Sequence, residues 1–277
     1  MLPALLTACS GVDLLNATVP TDSYRRTEGL AYGPYLRQRL DVYRPTQEAT
    51  RAPLVVFFYG GSWSSGERGD YRFVGEALAS QGIVTVVADY RLSPDVRYPA
   101  FVQDSARAVH WALDHAAEHG ADPARVFVMG HSAGAYNAAM VALDPRWLRA
   151  ERLLPTRLAG WIGLAGPYDF LPIGDRQTRV AFDWPGTPAD SQPLSHASAA
   201  SPPALLLAAA EDRVVNPQRN TVALAKRLRG SGVRVDSELF DSVGHVTLLA
   251  AMASVLRSRA PVLERVSAFV QSAPSAG

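Results

Sequence analysis

Short runs of consecutive apolar residues, separated by stretches of helical period, recur along this chain. Positions 54–59, 83–88, 126–129, 161–164 and 204–209 are runs of this kind, each of strand length. A strand that is apolar at every position, not at alternate ones, is covered on both faces, which is the condition of a parallel sheet between two helical layers. The intervening spacing predicts helices over 71–81, stopped by Gly82, over 100–119, stopped by Gly120, and over about 218–229. Residues 37–43 alternate polar and apolar and end at Arg44-Pro45, the pattern of a half-buried edge strand, and 233–240 makes a last strand. Together these elements predict a mostly parallel, doubly wound α/β sheet of about eight strands, one domain over 24–277, with no internal repeat.

Within that pattern, Gly130-His131-Ser132-Ala133-Gly134 sits between the strand at 126–129 and a small-residue helical run from Ala133 to Leu143. Strand, sharp turn, helix is the context that exposes a serine hydroxyl to both substrate and base, and glycines on either side permit close approach of neighbouring backbone. Ser132 is therefore the candidate nucleophile. It needs a base and a group to orient the base. Asp212 follows the buried strand 204–209 at its C-terminal end, where ligand sites of open α/β sheets form, and is the candidate acid; Glu211, Asp236 and Asp241 are its rivals. His245 lies on the loop after the strand 233–240, with Gly244 before it, and is the candidate base. Of the other histidines, His131 reads as packing, since neighbours on a sharp turn point different ways. His110, His115 and His119 share one helix, where a solvated face outweighs a metal site, and His196 falls in a surface loop. Donors for an oxyanion are expected from the backbone N–H of Ala133 and from the loop Tyr59-Gly60-Gly61-Ser62-Trp63, at Gly61 and Ser62.

The stretch from about Leu40 to His245 resembles the serine carboxylesterases of the α/β-hydrolase superfamily, in particular small bacterial esterases related to hormone-sensitive lipase and to kynurenine formamidase. The matching pieces are Gly60-Gly61-Ser62-Trp63, Asp89-Tyr90-Arg91-Leu92-Ser93-Pro94, Tyr98-Pro99-Ala100 leading to Asp104, the motif at 130–134, and the surroundings of Asp212 and His245. The resemblance implies an α/β-hydrolase fold, cleavage of small carboxylic esters through an acyl-enzyme, no metal or organic cofactor, and a supporting role for Asp104 and Arg91 behind the oxyanion loop. Two departures stand out. Tyr59 occupies the position of the family's histidine, and Ser62 that of a third glycine. An amidase or arylformamidase with the same triad is the alternative, because both reactions pass through the same tetrahedral intermediate. A non-catalytic binding protein on this fold has no need of the intact Ser, Asp and His set.

About 40 residues separate the strands at 161–164 and 204–209, and the Pro-, Asp- and Ser-rich part, about 171–203, is expected to form a short lid favouring short or compact acyl groups. Trp63, Tyr136 and Trp184 are the candidate pocket residues.

Composition narrows the partners. The chain has 27 Lys and Arg against 26 Asp and Glu in 277 residues, with no basic block, so nucleic acid is an unsuitable partner, and no apolar run reaches the length of a membrane span. The single cysteine, Cys9, excludes an internal disulfide. Its setting, Leu6-Thr7-Ala8-Cys9-Ser10, resembles the lipobox of bacterial lipoproteins, although only eight residues precede it, none basic. Residues 1–23 are thus expected to be a signal-peptide remnant or a lipoprotein tether anchored at Cys9, which implies export; without that, a cytoplasmic protein is expected.

Overall fold

The computed structural model describes residues 11–47 and 51–272. Cys9 and the lipobox-like segment lie outside them. Eight strands form one sheet: β1 (Tyr24–Ala31), β2 (Arg39–Pro45), β3 (Ala52–Phe58), β4 (Val84–Ala88), β5 (Ala121–His131), β6 (Gly160–Leu164), β7 (Ala204–Ala209) and β8 (Val235–Phe240), in the order β1-β2-β4-β3-β5-β6-β7-β8. The pairs β1–β2 and β2–β4 are antiparallel; β4–β3, β3–β5, β5–β6, β6–β7 and β7–β8 are parallel. As their unbroken apolar runs require, β3, β4, β6 and β7 are buried at every position.

Helix α1 (Gly11–Ala17) precedes the sheet, α2 (Arg72–Ala79) follows β3 and α3 (Ala100–His115) follows β4. After β5 come α4 (Ala133–Leu143) and α5 (Pro145–Ala150), and α6 (Arg176–Ala181) lies between β6 and β7. The chain closes with α7 (Ala223–Gly230), α8 (His245–Ala250) and α9 (Val262–Ser272). Helix α2 packs on β2 and β4 and touches α9, whereas α3 and α4 pack on each other and on β3 and β5, so the sheet lies between two helical layers. No helix among the described residues is long and apolar enough to cross a membrane.

Three elements depart from the sequence pattern. The strand at 39–45 is not the edge: β1 lies outside it, with a register shift between Thr27 and Leu30. Tyr24–Ala31 carries too many polar residues to read as a strand, yet its Arg26 reaches the fully buried Asp41 of β2 at 2.6 Å, and Gly29 N–H donates to the other oxygen of Asp41 at 2.8 Å. Charge pairing, not alternation, is what seats this edge. Residues 11–17, expected to belong to a tether, form α1, and Asn16 pins it by donating to the carbonyls of Gly69 and Asp70 at 2.9 and 3.0 Å. The third element, α9, was absent from the predicted elements, although Val262, Val266, Phe269 and Val270 recur at helical spacing and are buried.

The centre of the sheet is held by contacts between backbones. A Cβ on Gly130 would lie 2.1 Å from the carbonyl oxygen of Gly134, and one on Gly134 would lie 2.0 Å from that of Phe58. Neither obstacle is a flexible side-chain end, so both glycines are required by close approach. Gly134→Ala is expected to cost about 3 kcal/mol, read in a thermal melt as a Tm lowered by about 6–12 °C.

Candidate active site

Ser132 stands between the end of β5 and the start of α4 with φ 54° and ψ −122°, a conformation non-glycine residues rarely adopt. The surroundings impose it: Ser132 N–H donates to Leu164 O of β6 at 2.9 Å, and the two glycines leave no other path for the chain. Loops at the C-terminal ends of β7 and β8, two and three strands away in the sheet, bring the other two candidates to it. His245 Nε2 accepts from Ser132 Oγ at 2.9 Å, and His245 Nδ1–H donates to Asp212 Oδ2 at 2.7 Å. The remaining oxygen of Asp212 accepts the N–H groups of Val214 and Val215 at 2.8 and 2.9 Å. Burial alone pushes the Asp212 carboxyl up, but the His245 hydrogen bond and these two amides outweigh it and hold the pKa below the ordinary carboxylate range. The rival acids do not share this setting: Glu211, Asp236 and Asp241 are exposed.

The loop after β3, from which oxyanion donors are expected, is built from residues with positive φ, at Gly61 (120°), Ser62 (51°) and Trp63 (56°). The amide N–H groups of Gly61, Ser62, Trp63 and Ala133 donate to no protein acceptor among the described residues. Ser62, Trp63 and Ala133 line the cavity beside Ser132, while Gly61 is outside that wall and its carbonyl closes the turn by accepting Ser64 N–H at 2.9 Å. The loop is anchored at several points. Trp63 Nε1–H donates to the buried Asn137 of α4 at 3.0 Å, and Trp63 O accepts Ser93 N–H at 2.7 Å. Tyr59, in the position expected for histidine, donates its hydroxyl to Asp89 at 2.8 Å and accepts from Arg37 at 2.8 Å. Behind them Arg91 grips the buried Asp104 in a bidentate pair, and Gln38 donates to the same carboxylate. Burial, reinforced by the Asp89 charge, raises the Tyr59 hydroxyl far above its usual range, so it remains a hydrogen-bond donor.

The cavity at Ser132 has a volume of about 500 Å³. Trp63 lines it, but Tyr136 and Trp184 do not. Tyr136 is fully buried one turn into α4, donates to Ser191 O at 2.8 Å and stands edge-on to Trp63 at 5.2 Å, so it supports the wall from behind. Trp184 is half-buried against the hydrophobic core, and its backbone N–H donates to Arg179 O at 2.9 Å. The apolar wall is instead completed by Phe170, Ile173, Val214 and Val215, and residues 172–178 of the segment expected to form a lid supply one side. Phe170 is placed by buried amides: Gln192 accepts its N–H at 2.8 Å, and Asn220 accepts those of Tyr168 and Asp169 at 2.6 and 2.8 Å. Asn220 can do so because helix 218–229 begins as a π-turn, Gln218–Val222, before α7.

His131, expected to be packing, is buried and its Nε2–H donates to the main-chain oxygen of His245 at 2.9 Å. Burial, with the His245 ring beside it, pushes its pKa down to about 3. His110 pairs with Asp114, His115 stacks on Trp111 at 4.3 Å, and His196 contacts Asp190 O.

A serine at a strand-to-helix elbow of an eight-stranded, mostly parallel sheet, facing a histidine and an aspartate from the later strand ends, defines an α/β-hydrolase. More narrowly, the chain belongs to the BD-FAE family, whose model matches residues 40–228. It is 31% identical over 216 residues to the probable carboxylic ester hydrolase LipM of Mycobacterium tuberculosis, covering 71% of this chain and 50% of that protein. It is 32% identical over 151 residues to a probable isoprenylcysteine alpha-carbonyl methylesterase of Oryza sativa, covering 53% of this chain and 36% of the relative. The chain thus spans from about a third to half of the length of these curated relatives. Among solved structures, a truncated carbohydrate esterase from gut microbiota superposes with a TM-score of 0.77 at 17% identity, over 91% of this chain and 97% of that one, a likeness of fold.

Acid should destabilise the fold through two of these groups. His131 binds its proton far less readily folded than unfolded, so between its unfolded pKa of about 6.5 and about 3 the unfolded state holds more protons and stability falls as pH is lowered. Asp212, with a depressed folded pKa, acts in the same direction, its contribution being lost as pH falls through that pKa. Urea midpoints measured from pH 7 to pH 4 should fall, with His131 contributing up to about 1.4 kcal/mol per pH unit, and His131→Gln should flatten the slope.

Proposed function

We propose that the chain is a serine carboxylesterase acting on small carboxylic esters, with Ser132 as nucleophile, His245 as base and Asp212 as the group that orients the base. The observation that carries this reading is the continuous chain from Ser132 Oγ to His245 at 2.9 Å and on to Asp212 at 2.7 Å, opening on a cavity lined by the amide-bearing residues Ser62 and Ala133. In the first step Ser132 Oγ attacks the ester carbonyl while its proton passes to His245 Nε2. The Asp212 carboxylate keeps Nδ1 protonated and stabilises the imidazolium that forms. Negative charge developing on the carbonyl oxygen is received by the N–H groups of Ser62 and Ala133, which border the cavity, with Gly61 N–H behind them; among the described residues no protein acceptor occupies any of the three. His245 then returns the proton to the leaving alcohol, and a water activated by the same imidazole hydrolyses the acyl-enzyme. The names of the relatives, a carboxylic ester hydrolase and a methylesterase, support ester over amide chemistry.

The cavity supports short or compact acyl groups. Phe170, Ile173 and Trp63 close its apolar side, and Phe170 has no room to retreat, being packed against Tyr136 and Phe182 at 5.7 and 5.1 Å. Across 4-nitrophenyl esters from acetyl to dodecanoyl, kcat/KM is expected to be highest for acetyl or butyryl and to fall at least about tenfold by dodecanoyl. Ser132→Ala should lower kcat by at least about 10³-fold on all of them. Faster hydrolysis of the dodecanoyl ester would contradict the acyl-size reading.

A further inference from the structure

His131 is a buried, nucleophile-adjacent side chain to which the mechanism above gives no part. We propose that His131 is a positioning residue for the base, its Nε2–H holding the main-chain carbonyl of His245 and thereby setting where that imidazole stands relative to Ser132. The proposal rests on the assignment of Ser132 and His245 as nucleophile and base.

The geometry that supports it begins with the base. His245 is the first residue of α8, whose later residues Leu248, Leu249 and Ala250 are buried, while the hydrogen bonds at its start stay within the segment: Gly244 N–H donates to Thr247 Oγ1 at 2.7 Å and Leu248 N–H to Gly244 O at 2.9 Å. Val246 next to it and Val214 on the acid loop are 67% and 70% exposed, so solvent, not packing, borders this side of the base. The bond from His131 Nε2 to His245 O, 2.9 Å long, spans 114 residues and joins the main chain of this segment to β5. Ser132 is the next residue after His131. Nucleophile and base are thereby referenced to the end of one strand, buried on both sides at its last positions.

The ring also meets the oxyanion loop. A Cβ on Gly60 would lie 3.2 Å from His131 Nδ1 and 3.0 Å from Ser132 Cβ, so the first glycine of that loop leaves the space the imidazole fills. The His131 and His245 rings lie 5.0 Å apart. The titratable groups facing His131 are His245 and Asp212, and burial keeps it neutral beside them. A neutral imidazole is suited to this place: donation to a carbonyl requires only Nε2–H, and a second positive charge would oppose formation of the His245 imidazolium.

Two variants separate donation from bulk. His131→Leu keeps an apolar filling without a donor, and His131→Gln places an amide nitrogen near the position of Nε2. With 4-nitrophenyl acetate as probe, His131→Leu should lose kcat about 10- to 100-fold with KM within about twofold, since misplacement of a reacting group acts on the chemical step. His131→Gln should retain kcat within about threefold. The downfield proton resonance of the Asp212–His245 hydrogen bond should broaden or shift in His131→Leu and persist in His131→Gln. Should His131→Leu fail to melt cooperatively, His131→Asn, polar but too short to reach the carbonyl, takes its place with the same expected loss. Native protein that turns over, with Ser132→Ala dead and His131→Leu or His131→Asn at native kcat, overturns the proposal and leaves the triad standing. Equal losses in the Leu and Gln variants overturn it also, and native protein without turnover removes both readings.

Discussion

Three backbones meet under Ser132 at a spacing no side chain fits. Gly130, at the end of β5, touches the backbone of Gly134 in the first turn of α4, and Gly134 in turn touches the carbonyl oxygens of Phe58 and Tyr59 at the end of β3. That contact forces the chain through φ 54° at Ser132 and lifts its hydroxyl clear of the sheet. It also places the start of the loop after β3 next to Ser132, since that loop leaves β3 at the residues Gly134 touches. The positions of Ser132, of the Ala133 amide and of the Ser62 amide are therefore consequences of one packing constraint, and the later strands need only deliver Asp212 and His245 to it.

Delivery is done by loops whose main chains are restrained by side chains. Asp212 caps the N–H groups of Val214 and Val215, which turns its own loop while leaving one oxygen for His245. On the opposite side, the loop after β3 holds three successive residues at positive φ, which Gly61 adopts freely and Ser62 and Trp63 adopt against their own preferences. Trp63 is tied to Asn137 and Ser93, Tyr59 to Asp89 and Arg37, and Arg91 to Asp104. A tyrosine in place of histidine changes the nature of this anchor without removing it, because the hydroxyl finds a buried carboxylate and a guanidinium.

Much of this was legible because the chemistry is local or the hydrophobic signal continuous. The central strands read directly from runs such as 54–59 and 204–209, and the elbow from two glycines flanking a serine between strand and helix. Ser132 was singled out from its glycine-flanked motif, and Asp212 and His245 from strand ends and their order along the chain; the fold brings the three within hydrogen-bond distance. What escaped depends on distant partners. Strand β1 looks like a polar coil until Arg26 is seen on Asp41; α1 looks like a tether until Asn16 is seen on Gly69 and Asp70. The cavity wall was misread at Trp184 because the segment before β7 has no period from which side-chain direction follows, and at Tyr136 because α4 is buried at every position and offers no polar face to orient it. Phe170 and Ile173 line the cavity instead, Phe170 being set there by its N–H donating to Gln192 and by the N–H groups of Tyr168 and Asp169 donating to Asn220, bonds that no spacing announces. His131 read as packing for the same reason, its acceptor lying 114 residues away.

The central claim, that Ser132 is a nucleophile activated by His245, is tested most directly by covalent trapping. Native protein treated with a fluorophosphonate should gain the mass of a single adduct, located by peptide mapping on Ser132, and His245→Ala should gain it at least about 10³-fold more slowly. Absence of an adduct in the folded native protein, or its location on another serine, would contradict the claim.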